Sequence, residues 1–197
     1  MKRGEAAGHI GFAAASGVLV WSAFRARSRE VSPREELVFR TFNNASDAMS
    51  GKVWTVMQYG SFGAVPVVAA VIAVRRGVRD GGVVGIAGTS AWLCGKVLKV
   101  VVGRGRPADH LRSVQVRGKP QSGLGYPSGH ASVSLTLAIT STVTFPSRTA
   151  AIVASWIASG GRVYVGAHLP LDVAGGLALG AIVGGVANRL RDRIELL

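Results

Sequence analysis

The sequence predicts an all-α fold, an integral membrane bundle of six transmembrane helices. Hydrophobic residues make up 48% of the 197 positions, and the mean hydropathy is +0.34. Charged residues are absent from 53–74, 131–147 and 173–188 and nearly absent from 81–103, and short basic clusters separate these windows. This alternation indicates repeated membrane crossing rather than one soluble core.

The apolar windows define the expected crossings in order along the chain. Several are shorter than the usual ~20 residues, which suits helices that end in a water-accessible cavity. The first window follows Met1-Lys2-Arg3, so a signal peptide is an alternative, but we favour a spanning segment with a cytoplasmic basic flank. We place the crossings at about 8–24, 53–74, 81–102, 131–146, 149–167 and 171–188.

The segment 25–52 does not fit this simple pattern. It carries six basic residues, which four acidic residues only partly balance. An amphipathic interfacial helix around 33–42, with Pro33 at its first position, would explain this composition. The rest of the chain shows no second domain, so we treat 1–197 as a single domain.

Glycines recur every fourth residue in the last segment, at Gly176, Gly180 and Gly184. Such a stripe lets two helix backbones approach closely, so we interpret it as a packing surface.

The basic residues between the other crossings fall on one side, which the positive-inside tendency makes cytoplasmic. The termini are then expected in the cytoplasm and the chain in the cell membrane. Only the segment 25–52 argues against this orientation. The residues on the cytoplasmic side are Lys2, Arg3, Arg75, Arg76, Arg79, Arg148, Arg189, Arg191 and Arg193.

The net charge of +13 does not indicate a nucleic-acid partner. The basic residues lie between apolar segments, and aromatic residues that could stack on bases are only 7%. Anionic membrane lipids and a bound phosphate explain the excess more simply. Cys94 is the only cysteine, which excludes intrachain disulfides and cysteine-based metal sites.

Three polar clusters stand out, because polar residues are costly near a bilayer. They are Lys99–Pro107, Pro127–His130 and Arg162–Asp172. The first two share one loop, and the third follows two crossings later. All three therefore return to the same face, the extracytoplasmic one, and can form a single site.

The residue types in these clusters suit phosphoryl transfer. A phosphate carries about −1.5 to −2 charge near neutral pH, and Lys99, Arg106 and Arg162 supply three positive charges. Ser128 and Gly129 precede a predicted helix, whose first N–H groups form an anion site.

The two histidines suit different tasks. Asp172, four residues after His168, can orient one ring nitrogen and leave the other free as a nucleophile. His130, in the other loop, can protonate the departing oxygen. This scheme requires neither a metal nor a cofactor.

The combined pattern resembles the type 2 phosphatidic acid phosphatase family, relatives of the vanadium haloperoxidases. The family motifs are K-x6-R-P, P-S-G-H and S-R-x5-H-x3-D. Here they read Lys99-x6-Arg106-Pro107, Pro127-Ser128-Gly129-His130 and Gly161-Arg162-x5-His168-x3-Asp172, over residues 99–172.

The resemblance implies a six-helix membrane bundle and a phosphohistidine mechanism. His168 becomes the nucleophile, Asp172 its orienting residue and His130 the general acid. Gly161 replaces the family's serine, so one phosphate hydrogen bond is missing or a backbone N–H substitutes for it. The remaining matched positions, which bind phosphate in the family, are Lys99, Arg106, Ser128, Gly129 and Arg162.

The expected substrate is a lipid-linked phosphate, with a polyprenyl diphosphate or phosphate of the bacterial envelope as the leading choice. Phosphatidic acid, phosphatidylglycerol phosphate and transfer to an alcohol acceptor stay open. A non-enzymatic membrane protein would not need two histidines and an aspartate on one face. The sequence does not determine the oligomeric state.

Overall fold

The fold is a bundle of α-helices. The computed structural model describes residues 3–28, 30–142 and 145–194, and no β-strand occurs in these ranges. Two 3-10 turns, Asp47–Met49 and Gln58–Gly60, flank α3. The helices are α1 Arg3–Arg27, α2 Pro33–Asn43, α3 Ser50–Met57, α4 Ala64–Arg76, α5 Val78–Val102, α6 Pro107–His110, α7 Gly129–Ser141, α8 Phe145–Tyr164 and α9 Pro170–Ile194.

Helix α7 lies at the centre and packs against α5, α8 and α9. It is buried over most of its length, including the polar residues Ser132, Ser134 and Thr140. These three hydroxyls donate to carbonyl oxygens three or four residues earlier in the same helix. The polar atoms are thereby satisfied, so a helix rich in Ser and Thr can occupy an apolar core.

The glycine stripe of α9 packs against α7, as predicted. A Cβ atom at Gly176 would lie 2.4 Å from the Ser128 carbonyl oxygen, and one at Gly180 would lie 2.5 Å from that of Ser132. A Cβ atom at Gly184 would lie 2.9 Å from the Cβ of Ile139. The backbones therefore approach more closely than any larger residue permits, and the close-packing interpretation is confirmed.

Two helical stretches are long and apolar enough to cross a membrane, Val78–His110 and Pro170–Ile194. A third is possible if Gly51–Gly60 and Ala64–Arg76, which meet at a bend of 68°, form one broken span. These counts apply to the described ranges. The all-helical fold is thus observed, with two or three helices apolar enough to span a membrane, while the full set of six crossings stays a prediction.

Two expected crossings have different boundaries in the structure. The window 53–74 is broken near Gly60 and Gly63, where the chain bends instead of continuing as one helix. The window 131–146 is not one helix, because α7 ends at Ser141 and α8 begins at Phe145. Pro146 explains the restart, because proline is accommodated in the first turn of a helix but not in its interior.

The helix expected around 33–42 is confirmed as α2. Pro33 occupies its first turn, and the Ser32 hydroxyl caps it by accepting from the Glu35 N–H over 3.2 Å. The helix packs against α8 and α9, and the Glu35 side chain points into the protein. Its location at a membrane surface remains a prediction.

The loop 103–128 carries α6 and is held against α2 and α8. The Arg117 guanidinium donates to the carbonyl oxygens of Asn43 and Tyr164, each over 2.8 Å. It also lies over the Tyr164 ring, 4.2 Å from the centroid. The loop that carries two of the three polar clusters is therefore fixed to the bundle.

Candidate active site

The three polar clusters meet at a cavity of about 200 Å³ between α5, α7 and α8. Gly60 and Phe62 close it from the bend before α4. Six of the eight residues that the motifs single out line the cavity, whereas Ser128 and Asp172 lie behind its wall. The residues lining it from the clusters are Lys99, Arg106, Gly129, His130, Arg162 and His168.

Lys99 and Arg106 reach the cavity from either side of the end of α5. Gly103, at φ 69°, ends this helix in the left-handed conformation that glycine adopts readily. The Lys99 ammonium donates to the carbonyl oxygens of Leu124 and Gly125, each over 2.8 Å. The Arg106 guanidinium donates to the Ala167 carbonyl oxygen over 2.7 Å. Backbone carbonyls therefore hold both cations in place without neutralising them.

Arg162 is the third cation, in the last turn of α8 and almost fully buried. Its Nε atom has no hydrogen-bond partner. No carboxylate in the described ranges forms an ion pair with Arg162, Lys99 or Arg106. Three uncompensated positive charges around one cavity are costly in an empty site and favourable once an anion binds.

The start of α7 supplies backbone donors to the same cavity. The helix begins at Gly129, so this residue is its first rather than the residue before it. The Ser128 N–H already donates to the Asp172 carbonyl oxygen over 2.8 Å, and the Ser128 hydroxyl is buried without a partner. The N–H groups from Gly129 onward are therefore the ones left to meet an anion.

His168 and Asp172 are adjacent, but their contact is long. The distance from His168 Nδ1 to Asp172 Oδ2 is 3.5 Å, which exceeds the range of a good hydrogen bond. Oδ2 accepts instead from the Leu169 N–H over 2.9 Å. Catalytic hydrogen bonds are often this loose before substrate binds, so the pair remains compatible with an orienting role.

The surroundings of both histidines favour the neutral form of the ring. Burial, and next the positive charge of Arg162, lower the pKa of His130 to about 3. The same two causes, in the same order, hold the pKa of His168 well below its usual range. A neutral ring is the form that a nucleophilic histidine needs.

Arg104 is a site residue whose role was not predicted. It is fully buried, and its guanidinium bonds both oxygens of Glu35 and, over 3.2 Å, Oδ1 of Asp172. Glu35 comes from the segment 25–52, whose function the sequence left open. The only indication in the sequence is a helical projection of 33–43, which suggests that Glu35 lies on the inward face of an amphipathic helix. The projection does not decide whether this acid is buried.

A second cavity, of about 880 Å³ and almost wholly apolar, lies on the other side of α8, towards α1, α2 and α9. Gly161 lines this second cavity, whereas the next residue, Arg162, lines the first. A Cβ atom at Gly161 would lie 2.8 Å from Cγ of Met57 and from Cγ1 of Val53. Position 161 thus faces away from the cationic cavity.

Within the described ranges, no three His, Cys, Asp or Glu side chains are grouped so that they could hold a metal ion. The motif residues that supply positive charge to the cavity are Lys99, Arg106 and Arg162, and Lys96 also lines it.

Comparison with known proteins identifies the family. The family described as the PAP2 superfamily matches residues 81–195, which include all three motifs. The chain belongs to the PAP2 superfamily. The resemblance to type 2 phosphatidic acid phosphatases is therefore confirmed, and the chain is a member of a family of lipid phosphatases.

Two relatives of this PAP2 protein have defined activities. An undecaprenyl-diphosphatase of Sulfolobus acidocaldarius is 30% identical over 148 residues, covering 73% of this chain and 72% of the relative. A lipid A 4'-phosphatase of Bacteroides thetaiotaomicron is 33% identical over 119 residues, covering 52% of this chain and 51% of the relative.

Two solved structures share the fold. The transmembrane PAP2-type phosphatidylglycerolphosphate phosphatase of Bacillus subtilis has a TM-score of 0.74 at 18% identity, covering 91% of this chain and 96% of that one. LpxE of Aquifex aeolicus has a TM-score of 0.65 at 21% identity, covering 77% and 92%. Both support a PAP2 membrane phosphatase fold.

Proposed function

We propose that this PAP2 protein hydrolyses a lipid-linked phosphate through a phosphohistidine formed on His168, without a metal ion. The observation that carries the proposal is the cavity itself, where two neutral histidines face three cations that no carboxylate neutralises. A phosphate dianion fits this charge pattern, and a neutral or cationic ligand does not.

In the first step, Nε2 of His168 attacks the phosphorus while Nδ1 faces Asp172. The charge of the bound phosphate raises the pKa of His130, which takes up a proton from solvent as the substrate binds. The P–N bond forms as the bond from phosphorus to the leaving oxygen breaks, and the protonated His130 gives that oxygen its proton. Lys99, Arg106 and Arg162 bind the phosphate oxygens, and the N–H groups at the start of α7 add to them. Ser128 lies behind the wall with its hydroxyl buried and without a partner, and we assign to this hydroxyl a further hydrogen bond to the phosphate.

In the second step, water attacks the phosphorus of the phosphohistidine. His130, now neutral, takes a proton from the water, the P–N bond breaks and inorganic phosphate forms. His130 therefore acts as acid and then as base, and it ends the second step protonated, as it was when the substrate was bound.

The substrate that we favour is a polyprenyl diphosphate or phosphate of the bacterial envelope. Of the two relatives described above, the one that aligns over the larger share of this chain is an undecaprenyl-diphosphatase, which supports this choice. Phosphatidic acid and phosphatidylglycerol phosphate are the alternatives, the second because of the shared fold with the Bacillus subtilis phosphatase. A phosphotransferase on the same scaffold would pass the phosphoryl group to an alcohol.

We place the site on the extracytoplasmic side of the cell membrane, with both termini in the cytoplasm. Contacts at the opposite end of the bundle support this orientation, because they gather the basic residues there. Arg76 donates to the Ser141 carbonyl oxygen over 3.0 Å, and Arg189 donates to that of Gly8 over 2.8 Å. Basic residues concentrate on the cytoplasmic side.

The test is phosphate release from a detergent-solubilised panel of lipid phosphates and diphosphates, with and without EDTA. We expect release by the wild type, unchanged by EDTA, and no turnover or trapped phosphoenzyme for His168→Ala. Full activity of purified His168→Ala protein would exclude the phosphohistidine route. Strong loss in EDTA would contradict metal independence, and a phosphorylated acceptor in place of free phosphate would identify a transferase.

A further inference from the structure

One face of α5 extends outward from the cationic end of the cavity. Four residues form a stripe along this face of the helix, because they follow the first of them at spacings of three, four and seven residues. They are Trp92, Gly95, Lys96 and Lys99. All four line the active-site cavity. Only Lys99 belongs to a PAP2 motif, so the stripe continues the site beyond the residues that bind the reacting phosphate.

Lys96 is a further cation on this stripe without a compensating acid. Lys96 is exposed and lines the cavity, and its ammonium lies 5.2 Å from the centroid of the Trp92 ring. No carboxylate in the part of the chain that the structure describes forms an ion pair with it. Lys96 and Lys99 are also close enough to repel each other electrostatically.

The stripe changes from charged to apolar with distance from the histidines. Lys96 lies about 4.5 Å along the axis from Lys99, and Trp92 about 10 Å, at 1.5 Å per residue. The Trp92 ring packs on Phe62, with centroids 4.7 Å apart and planes inclined by 33°. A ligand that extends outward from the cations of the three motifs therefore contacts Lys96 next, and then the rings of Trp92 and Phe62.

We propose that Lys96 binds the second phosphate of a lipid diphosphate, the one that stays with the lipid, and so favours diphosphates over monophosphates. The inference rests on the proposed function. Attack by His168 on the terminal phosphorus breaks its bond to the bridging oxygen, and the leaving group is the lipid monophosphate. Lys96 stabilises the charge on that group, and Phe62 and Trp92 contact the start of the tail.

A monophosphate substrate has no group at this position. Its ester oxygen leads directly to the lipid chain, so Lys96 neither binds the ground state nor stabilises the leaving group. The contribution of Lys96 is thus specific to one class of substrate, whereas the contributions of Lys99, Arg106 and Arg162 are common to both.

The experiment compares farnesyl diphosphate with farnesyl monophosphate, which carry the same tail. We expect Lys96→Met to lower kcat/KM for the diphosphate about tenfold, equivalent to about 1.4 kcal/mol, and to leave the monophosphate within about twofold. Lys96→Arg, which keeps the charge, should restore most of the diphosphate activity. Lys119→Met, which removes an exposed loop lysine outside the cavity, is the matched control and should affect neither substrate.

Equal losses on the two substrates, or no loss on the diphosphate, would overturn the proposal. A binding measurement separates it from the proposed function. Calorimetry on the full chain should show weaker binding of inorganic pyrophosphate to Lys96→Met than to the wild type, with binding of inorganic phosphate unchanged. If the wild type hydrolyses neither substrate, the proposed function fails. The difference in pyrophosphate binding between the wild type and Lys96→Met still decides the role of Lys96.

Discussion

The Arg104 guanidinium donates one hydrogen bond to each carboxylate oxygen of Glu35, over 2.9 and 2.7 Å. The same guanidinium bonds Asp172, and Glu35 also accepts from the Leu171 N–H over 3.0 Å. These hydrogen bonds therefore connect helix α2 to the end of α5 and to the start of α9, directly behind His168. The segment 25–52 therefore has a structural role, because it supplies Glu35, the acid that completes this network.

Replacing Arg104 with Met should destabilise the protein strongly, because it leaves Glu35 and Asp172 buried without their shared cation. Breaking a buried ion pair by removing one partner costs about 3–5 kcal/mol. The measurement is the thermal unfolding midpoint in detergent, together with kcat at a temperature where the variant is folded. We expect kcat to fall as well, since Asp172 loses a contact that fixes it.

Arg40→Met is the matched control for Arg104→Met. Arg40 pairs with Glu36 on the surface of α2, the helix that also carries Glu35. Exposed pairs at this spacing contribute only about 0.3–0.5 kcal/mol. If Arg104→Met lowered the midpoint no more than Arg40→Met does, the network would not have the role inferred for it.

Replacing His130 with Ala should affect monophosphate and diphosphate substrates unequally. A lipid alcohol leaves poorly, so loss of the general acid should lower kcat/KM on a monophosphate by nearly the full ~10²–10⁴-fold range. A lipid monophosphate leaves more easily, so the loss on a diphosphate should be smaller. Equal losses in steady-state assays would argue against His130 as the proton donor, provided that the unfolding midpoint is unchanged.

Acidification should destabilise the empty protein. The folded state holds both histidines neutral, while the unfolded chain takes up protons below the ordinary histidine pKa of about 6.5. The free energy of unfolding should therefore fall as the pH drops from about 6.5 towards 3, where His130 itself titrates. Bound phosphate or vanadate stabilises the protonated rings and should raise both pKa values.

Nitrogen NMR of labelled histidine rings measures this directly. In the substrate-free protein the signals of His130 and His168, assigned with His130→Ala and His168→Ala, should stay in the neutral pattern at pH 5. Added vanadate should move the pKa of His130 upward. Protonation of both rings near pH 6.5 in the empty site would refute the electrostatic picture.

Restoring the family's serine with Gly161→Ser should destabilise this chain without strengthening phosphate binding. The new Cβ would meet Met57 and Val53 at 2.8 Å, and overpacking of this kind typically costs about 1–3 kcal/mol. Gly160→Ser is the control, because a Cβ there meets only Phe42, at an ordinary 3.5 Å. Unfolding midpoints and the inhibition constant of phosphate provide the measurements.

Met57→Ala combined with Gly161→Ser should recover part of the lost stability, because it removes the Met57 atoms that clash and leaves only the contact with Val53. Tighter phosphate binding by Gly161→Ser alone would mean that the side chain at 161 reaches the cationic cavity after all.

Cysteine labelling tests the orientation in the membrane. In a Cys94→Ala background, Lys119→Cys lies in the active-site loop and Asp192→Cys near the end of α9, at the opposite end of the bundle. A membrane-impermeant maleimide should label Lys119→Cys on intact cells and Asp192→Cys only after permeabilisation. The reverse pattern would invert the proposed topology.

The family and most of the site could be predicted from the sequence because the motif residues are chemically unusual for their surroundings. Charged residues are costly near a bilayer, and here Lys99 and Arg106 follow one apolar window while Arg162 interrupts another, so the three together with the two histidines indicated a ligand. The return of the chain to one face every two crossings predicted their convergence, and the cavity brings six of the eight residues together.

The contributions of Arg104, Glu35 and Lys96 could not be predicted in this way. The motif includes Arg106 but not Arg104, and the local sequence does not specify that the Arg104 side chain turns inward after Gly103 to meet buried acids. Glu35 lies 69 residues from Arg104 along the chain. The bend near Gly60, which converts one expected span into α3 and α4, likewise depends on packing against His130, whose carbonyl oxygen would lie 2.5 Å from a Cβ at position 60.

The sequence by itself determined the helical class, the family and the candidate reacting groups, because hydropathy and the spacing of charged residues are local properties of the chain. The tertiary structure decided which cations face the cavity and which are neutralised by buried acids. It also turned position 161 away from the phosphate and placed Ser128 and Asp172 behind the wall. Those outcomes depend on how distant helices pack, since the free energy of a buried charge is set by the neighbours that folding brings to it.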